Sequence, residues 1–212
     1  MKTYKSNDKT QLTEHFNVSE FRCKCGGTHD TKLDSELVQK LEKLYKNLSC
    51  SKIIVNSGYR CSAHDKNVGG NGSGQHVNGT AADIVCYDKN GKKISSKIVC
   101  CAAQDLGFGG IANIDASYTA THVDVRTSNK WYGNEAVPGG TSSSVCGNFY
   151  SYYNLSEADV YSRKKRSITV KNDIKELQLA LNSKGYSCGS ADGIIGNNTI
   201  NAMFYALCEY LM

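Results

Sequence analysis

The chain has 212 residues and carries 25 Lys and Arg against 20 Asp and Glu, a formal charge of +5. That length allows one large domain, or a medium domain with a small one, each able to bury its own core. The modest positive charge suits an anionic polymer or surface, and no aromatic-interleaved basic stripe accompanies it, which argues against nucleic acid as the partner.

The first nine residues are polar, and no later stretch approaches the length of a membrane span. The expectation is a protein made in a cytoplasm without a signal peptide and with no stable membrane insertion. A target outside the membrane would then require separate release. Ten cysteines are present without paired Cys-x-x-Cys knuckles, so most read as reduced thiols acting as small apolar groups. Cys23-Lys24-Cys25 with His29 nearby offers a second metal cluster, against the plainer reading of free thiols in a loop or a later disulfide.

Along the chain, residues 1–33 are polar apart from an apolar-anchored piece, Phe16 to Phe21, which reads as a docking segment before a Gly26-Gly27 turn. Leu37, Leu41, Leu44 and Leu48 then share one helical face, with Asp34 near the N-terminal end. Lys52 to Asn56 reads as a strand running into a loop that carries Tyr59 and Arg60. The glycine-rich loop Val68 to Gly74 lacks the Gly-Lys-Ser/Thr ending of a phosphate cradle, and reads as backbone that approaches a substrate or metal closely.

Ala81 to Tyr87 alternates as a strand with Asp83 on one face, Ile94 to Leu106 reads as a helix, and Phe108–Ile111 and Thr121–Arg126 add strands. These elements predict an α+β domain over residues 1–133, a small antiparallel sheet with flanking helices. Residues 134–167 shift to Gly, Ser, Tyr and Asn with the basic run Arg163-Lys164-Lys165-Arg166, and read as a linker. Residues 168–212 resume helical periodicity at Val170, Ile174, Leu177 and Leu181, break at Gly185-Tyr186, and end in a helix over 198–211.

The chemistry concentrates in His76 and Asp83, a neutral nitrogen ligand and a carboxylate seven residues apart across small residues. With His122 they make three donors of the kind a catalytic zinc takes while keeping one position open. Asp124 lies two residues beyond His122 on a predicted strand and so shares its face, where a carboxylate can accept a proton from an attacking water or orient a ligand histidine. Arg60 suits holding a substrate carboxylate or a developing oxyanion, and equally suits a structural ion pair. His15, His29 and His64 read as solvated or hydrogen-bonded side chains.

Four ordered motifs carry a resemblance: Ser57-Gly58-Tyr59-Arg60-Cys61-Ser62-Ala63-His64, Val68-Gly69-Gly70, His76-x-x-Gly79-x-Ala81-x-Asp83 and His122-Val123-Asp124-Val125-Arg126. Together with Phe16-x-x-x-Glu20-Phe21-x-Cys23, they make residues 12–130 similar to the zinc D-Ala-D-Ala carboxypeptidase family, which includes phage L-alanoyl-D-glutamate endopeptidases. The resemblance implies one zinc ion on His76, Asp83 and His122, with Arg60 on the substrate or its oxyanion; Gln75, next to the first of these, is a further candidate for substrate binding. Peptidoglycan stem peptides would be that substrate. The pattern departs from the family at Gly74, where Ser is common, and at Thr119, where many members carry an acidic base. Asp124 is therefore the expected base, with Asp115 a distant alternative.

Residues 168–212 separately resemble a small three-helix peptidoglycan-binding module, in Ile174-x-x-Leu177-Gln178-x-x-Leu181 and Asp192-Gly193-Ile194-Ile195-Gly196-x-x-Thr199. The joint expectation is a monomeric zinc peptidase tethered to the wall it cuts, a phage or prophage endolysin acting after release from the host cytoplasm. The competing readings are a D-Ala-D-Ala carboxypeptidase trimming stem termini, and a non-catalytic zinc-containing wall-binding protein.

Overall fold

Three of the four regularly spaced leucines, Leu37, Leu41 and Leu44, lie buried along one face of helix α1 (Ser35–Asn47) in a computed structural model that describes residues 1–162 and 170–211. Asp34 caps this helix by accepting the Glu36 N–H at 2.8 Å, which satisfies one of the donors a helix start leaves over. The chain divides into two units, residues 1–164 and 165–212.

In the first unit a short ribbon pairs β1 (Lys2–Tyr4) with β2 (Thr31–Leu33). The main sheet contains β3 (Lys52–Ser57), β4 (Ala81–Tyr87), β5 (Gly110–Asn113), β6 (Thr121–Asp124) and β7 (Trp131–Asn134), in the spatial order β3-β4-β6-β5-β7. The expected antiparallel pairing holds for β3–β4, β4–β6 and β5–β6. It fails at one edge, where β7 runs parallel to β5, because the connection after β6 passes beyond β5 before re-entering the sheet. The sheet is therefore mixed.

Strand alternation divides the sheet into two faces. Ala82, Ile84, Cys86, Ile111 and Val123 enter the core, where they meet α1 and the buried Val99, Cys100 and Ala103 of α4 (Ser96–Asp105). The residues between them, Asp83 on β4 and His122 and Asp124 on β6, take the other face. All ten cysteines are free thiols, and Cys50, Cys86, Cys100, Cys101 and Cys188 are buried, in keeping with their expected role as small apolar groups. Burial pushes the Cys101 thiol up to about 12.

The first unit does not end at residue 133. Within the stretch expected to be a linker, α5 (Phe149–Tyr153) and α6 (Glu157–Tyr161) pack on α4 and fully bury Phe149 and Val160 in the same core. The Phe149 N–H donates to Gln104 Oε1 at 2.8 Å, and the Tyr150 and Tyr161 hydroxyls both donate to Asp105 Oδ2 at 2.5 Å. Five-residue helices are too short to register a 3.6-residue period, so this segment reads as irregular in the sequence. The basic run Arg163 to Arg166 lies outside the described residues.

In the second unit the described residues form two helices, α7 (Val170–Ser183) and α8 (Asn197–Leu211), where three were expected. Leu181, Cys188 and Ala202 make its small apolar centre. Beside them Gln178, only 1% exposed, donates to Thr199 Oγ1 and Ile194 O at 3.0 Å and to Asp192 Oδ1 at 3.2 Å, and accepts the Gly193 N–H at 2.8 Å. One buried amide thus ties α7 to the Asp192–Thr199 segment, and a buried amide is stable only when so satisfied.

Phe149→Ala is expected to destabilise the first unit by about 3–5 kcal/mol, the range for deleting a buried aromatic ring. Urea unfolding measures this, and an unchanged midpoint would return residues 134–162 to the status of a linker.

Candidate metal centre

Asp83 and His122 are directly opposed in the β4–β6 ladder, so the pairing register alone sets their side chains next to each other. A β-bulge between Val55 and Ser57 on the adjacent strand falls beside Asp83 and turns the chain out into the Arg60 loop, as bulges commonly do near functional sites. His76 arrives from above on α3 (Gln75–Asn78), a single turn that follows the glycine-rich loop. Gly79 ends that turn at φ +73°, and a Cβ there would lie 2.3 Å from the Lys32 carbonyl oxygen. The position therefore accepts only glycine.

Three atoms converge. His122 Nδ1 lies 2.9 Å from Asp83 Oδ1, His76 Nε2 lies 3.2 Å from the same oxygen, and the two ring nitrogens are 3.2 Å apart. The opposite nitrogen of each ring already has an acceptor, Gly58 O at 2.8 Å from His76 Nδ1 and Asp124 Oδ2 at 3.2 Å from His122 Nε2. We assign the ring protons to those outer contacts, which leaves two nitrogen lone pairs and a carboxylate oxygen facing one point. Three acceptors packed together in a buried place require a cation between them or a proton on one. Two imidazoles with one carboxylate are a donor set that zinc takes, so the residues fit the ion.

Where no cation lies between the three acceptors, a proton takes its place: burial alone would raise the Asp83 carboxyl, but hydrogen bonds from His122 and His76 when they carry that proton hold it well below the usual carboxylate range. For His122, burial lowers the pKa, and the Asp124 and Asp83 carboxylates outweigh it and push it up to about 9.

Around the donors stands a ring of fixed groups. Arg60 donates to Asp83 Oδ2 at 2.5 Å, Ser57 Oγ at 2.7 Å and Asp65 Oδ1 at 3.4 Å, so it is an ion-pair partner of the centre as well as a wall of its cavity. Gly58 packs so closely on Phe21 that a Cβ would sit 2.6 Å from the Phe21 Cα, and the Tyr59 N–H donates to Phe21 O at 2.8 Å. The Phe16–Phe21 piece is thus the support under the loop that orients His76 and carries Arg60.

Asp124 is not where the expected base would stand. Its side chain is fully buried, with Arg126 Nε and Nη2 bound to its carboxylate at 2.9 and 2.6 Å. It lies behind His122, on the ring edge away from Asp83. Asp115 is also engaged elsewhere, since it accepts the Thr119 and Ala120 N–H groups at 2.7 and 3.0 Å and the Thr119 hydroxyl at 2.7 Å. Asp115 and Thr119 thereby hold the turn between β5 and β6.

The cavity over the centre is lined by Arg60, Gln75, His76, Asp83, His122, Arg126, Trp131 and Glu135, with Val68 and Ile114. Gln75 faces it while accepting the Thr80 hydroxyl at 2.7 Å. Glu135 was absent from the sequence-derived candidates. It follows edge strand β7, and no spacing relates it to the other motifs. Its carboxyl is raised above the ordinary glutamate value, first by desolvation at the rim and then by the Asp83 charge. His15 lies away from the cavity, stacked on Tyr45 at 3.6 Å and bonded to Glu42 at 2.9 Å, and His64 lies on α2 (Ser62–Asn67).

A convergent set of two histidines and a carboxylate, floored by a sheet and open on one side, defines a metallohydrolase class of site. The Peptidase M15 family profile matches residues 14–124, just over half of the chain, and the chain belongs to that family. Its members are zinc peptidases of the D-Ala-D-Ala carboxypeptidase type. No curated protein matches the chain.

Asp115→Ala is expected to cost about 1–3 kcal/mol of stability at neutral pH, the cost of leaving charge-assisted hydrogen bonds unmade. Bonds from Ala120 and Thr119 lower the Asp115 carboxyl against the effect of burial, so its contribution is full above the unfolded aspartate pKa and is lost as pH falls through the lower folded one. The difference between native and variant midpoints, followed by urea unfolding across acidic pH, should therefore shrink in that window. A constant difference would rule out this role.

Proposed function

We propose that the protein is a zinc peptidase that cuts peptide bonds in bacterial peptidoglycan, with His76 Nε2, Asp83 Oδ1 and His122 Nδ1 as its ligands. The observation that carries this reading is the convergence of those three acceptors, each histidine held by an outer acceptor. When bound, zinc supplies Lewis-acid polarisation of the scissile carbonyl and lowers the pKa of an attacking water.

The protein's own residues supply position and proton handling. Asp124, locked by Arg126, keeps the His122 ring turned and accepts its outer N–H, so that the inner nitrogen is the one that would bind the ion in exchange for its proton, an arrangement that strengthens a ligand histidine. Gly58 O does the same for His76. Arg60 fixes the outer oxygen of Asp83, and a guanidinium has five donors in all, so it also serves the substrate or its developing oxyanion. Glu135, on the cavity rim with a raised pKa, is the group we assign to take the proton from the attacking water and pass it to the leaving amine. That replaces Asp124 in the role.

The resemblance of the second unit to a peptidoglycan-binding module supports a wall-tethered enzyme of the phage or prophage endolysin type. Tethering makes each further cut effectively intramolecular. Arg126 in the cavity wall favours one second reading, removal of a terminal D-Ala whose free carboxylate would bind between Arg126 and Arg60.

Purified protein incubated with isolated peptidoglycan should release new peptide ends that disappear with a chelator and return with zinc. Mass spectrometry of the ends separates internal cleavage from loss of a terminal D-Ala, and wall binding without any new ends would refute the enzyme reading. Within that assay Glu135→Gln should lower kcat by about 10²-fold or more with zinc content unchanged. Asp124→Asn should instead weaken zinc binding by about 10–100-fold. An Asp124→Asn protein with full zinc and no turnover would restore Asp124 as the base.

A further inference from the structure

Three cysteines that the catalytic reading leaves unused come together on the other side of the Arg60 loop. Cys23 and Cys25 follow the Phe16–Phe21 piece, and Cys61 directly follows Arg60 and caps α2. Their sulfurs all lie within 4.8 Å of one another, with Cys25 Sγ and Cys61 Sγ 4.0 Å apart. Four ligands around a zinc ion at about 2.3 Å in tetrahedral geometry place neighbouring sulfurs about 3.8 Å apart, so the observed spacing is already close to that of a coordinated set.

Each sulfur also receives a backbone N–H: Cys61 N to Cys23 Sγ at 3.3 Å, Gly27 N to Cys25 Sγ at 3.4 Å and His64 N to Cys61 Sγ at 3.4 Å. Such bonds stabilise negative sulfur. Between the two N-terminal cysteines, Lys24 Nζ is anchored to Val55 O at 3.0 Å and Asn56 O at 2.6 Å, which pins their loop to the bulged end of β3. The His29 ring and the Cys25 sulfur share the bare face of Gly27, where a Cβ would lie 2.6 Å from His29 Nε2 and 3.4 Å from Cys25 Sγ; His29 stands just outside the three-sulfur cluster, and a turn of its side chain would bring a fourth donor to it.

We propose that Cys23, Cys25, Cys61 and His29 form a second, structural zinc site that clamps the N-terminal segment to the Arg60 loop. Thiolate-rich sets with a histidine are closed structural sites, with no position left for substrate. A coordinating thiol is deprotonated outright, so a cation bound there would hold the sulfurs as thiolates. The clamp would tie the support segment and Arg60 into one body, because Cys61 adjoins Arg60 and Cys23 lies two residues beyond Phe21. This assignment does not depend on the peptidase reading.

The test uses the full chain purified under a reductant and loaded with zinc, then with cobalt(II). Elemental analysis should find two zinc ions per native chain, one in His76→Ala/His122→Ala and one in Cys23→Ser/Cys61→Ser. Cobalt should give a thiolate-to-metal charge-transfer band in the native chain and in the histidine variant, and none in the cysteine variant. His29→Ala should release zinc to a chelator concentration at which the native site retains it. A native chain whose cobalt form lacks the thiolate band, or whose Cys25 and Cys61 form a disulfide under these conditions, overturns the proposal without use of any variant. Loss of the histidine-site ion alone would count against the catalytic reading and leave this one standing.

Discussion

A carboxylate removed from water is costly unless charge and hydrogen bonds surround it, and Asp83 is the place where this protein meets that cost. Arg60 holds one of its oxygens, and His122 and His76 approach the other. Each partner comes from a different part of the chain: a loop after a bulged strand, the neighbouring strand, and a one-turn helix. Satisfying a single buried acid thus requires the sheet register, the bulge and the glycine-rich loop to be correct together. The same requirement produces a site with three acceptor atoms aimed at one point.

The next layer outward explains residues that stand back from the chemistry. Phe21 supports Gly58, Gly58 turns His76, and Arg126 seals Asp124 behind His122. Side chains held in this way lose little entropy on binding an ion, which is the physical meaning of a preorganised site. The cysteine cluster extends this logic on the far side of the Arg60 loop, where thiols and amides meet at distances suited to a metal. Open donors of nitrogen and oxygen type face the cavity, and soft sulfur donors face the support segment.

The second unit uses a different solution to a small core. Among the described residues Leu181, Cys188 and Ala202 form its buried apolar centre, and Gln178 adds four hydrogen bonds beside them. Motif residues Asp192, Gly193 and Thr199 all meet that one amide, so their spacing reflects how the segment wraps Gln178.

Local pattern makes much of the chain legible from its amino acids alone. Leu37, Leu41 and Leu44 mark α1, β-branched alternation marks β3 and β4, and His76, Asp83 and His122 stand out because their residue types and order are those of metal ligands. Tertiary structure decided what depends on contacts distant in sequence. The parallel edge strand β7, the burial of Phe149 and Val160, and the position of Glu135 all follow from how segments return to the sheet, and no short-range period records that. Strand alternation correctly placed Asp124 on the face of His122, but alternation says nothing of depth. Arg126 and the β4–β6 register buried Asp124 behind the ring, because a carboxylate two residues along a strand is one ladder step farther from Asp83, with the imidazole between them.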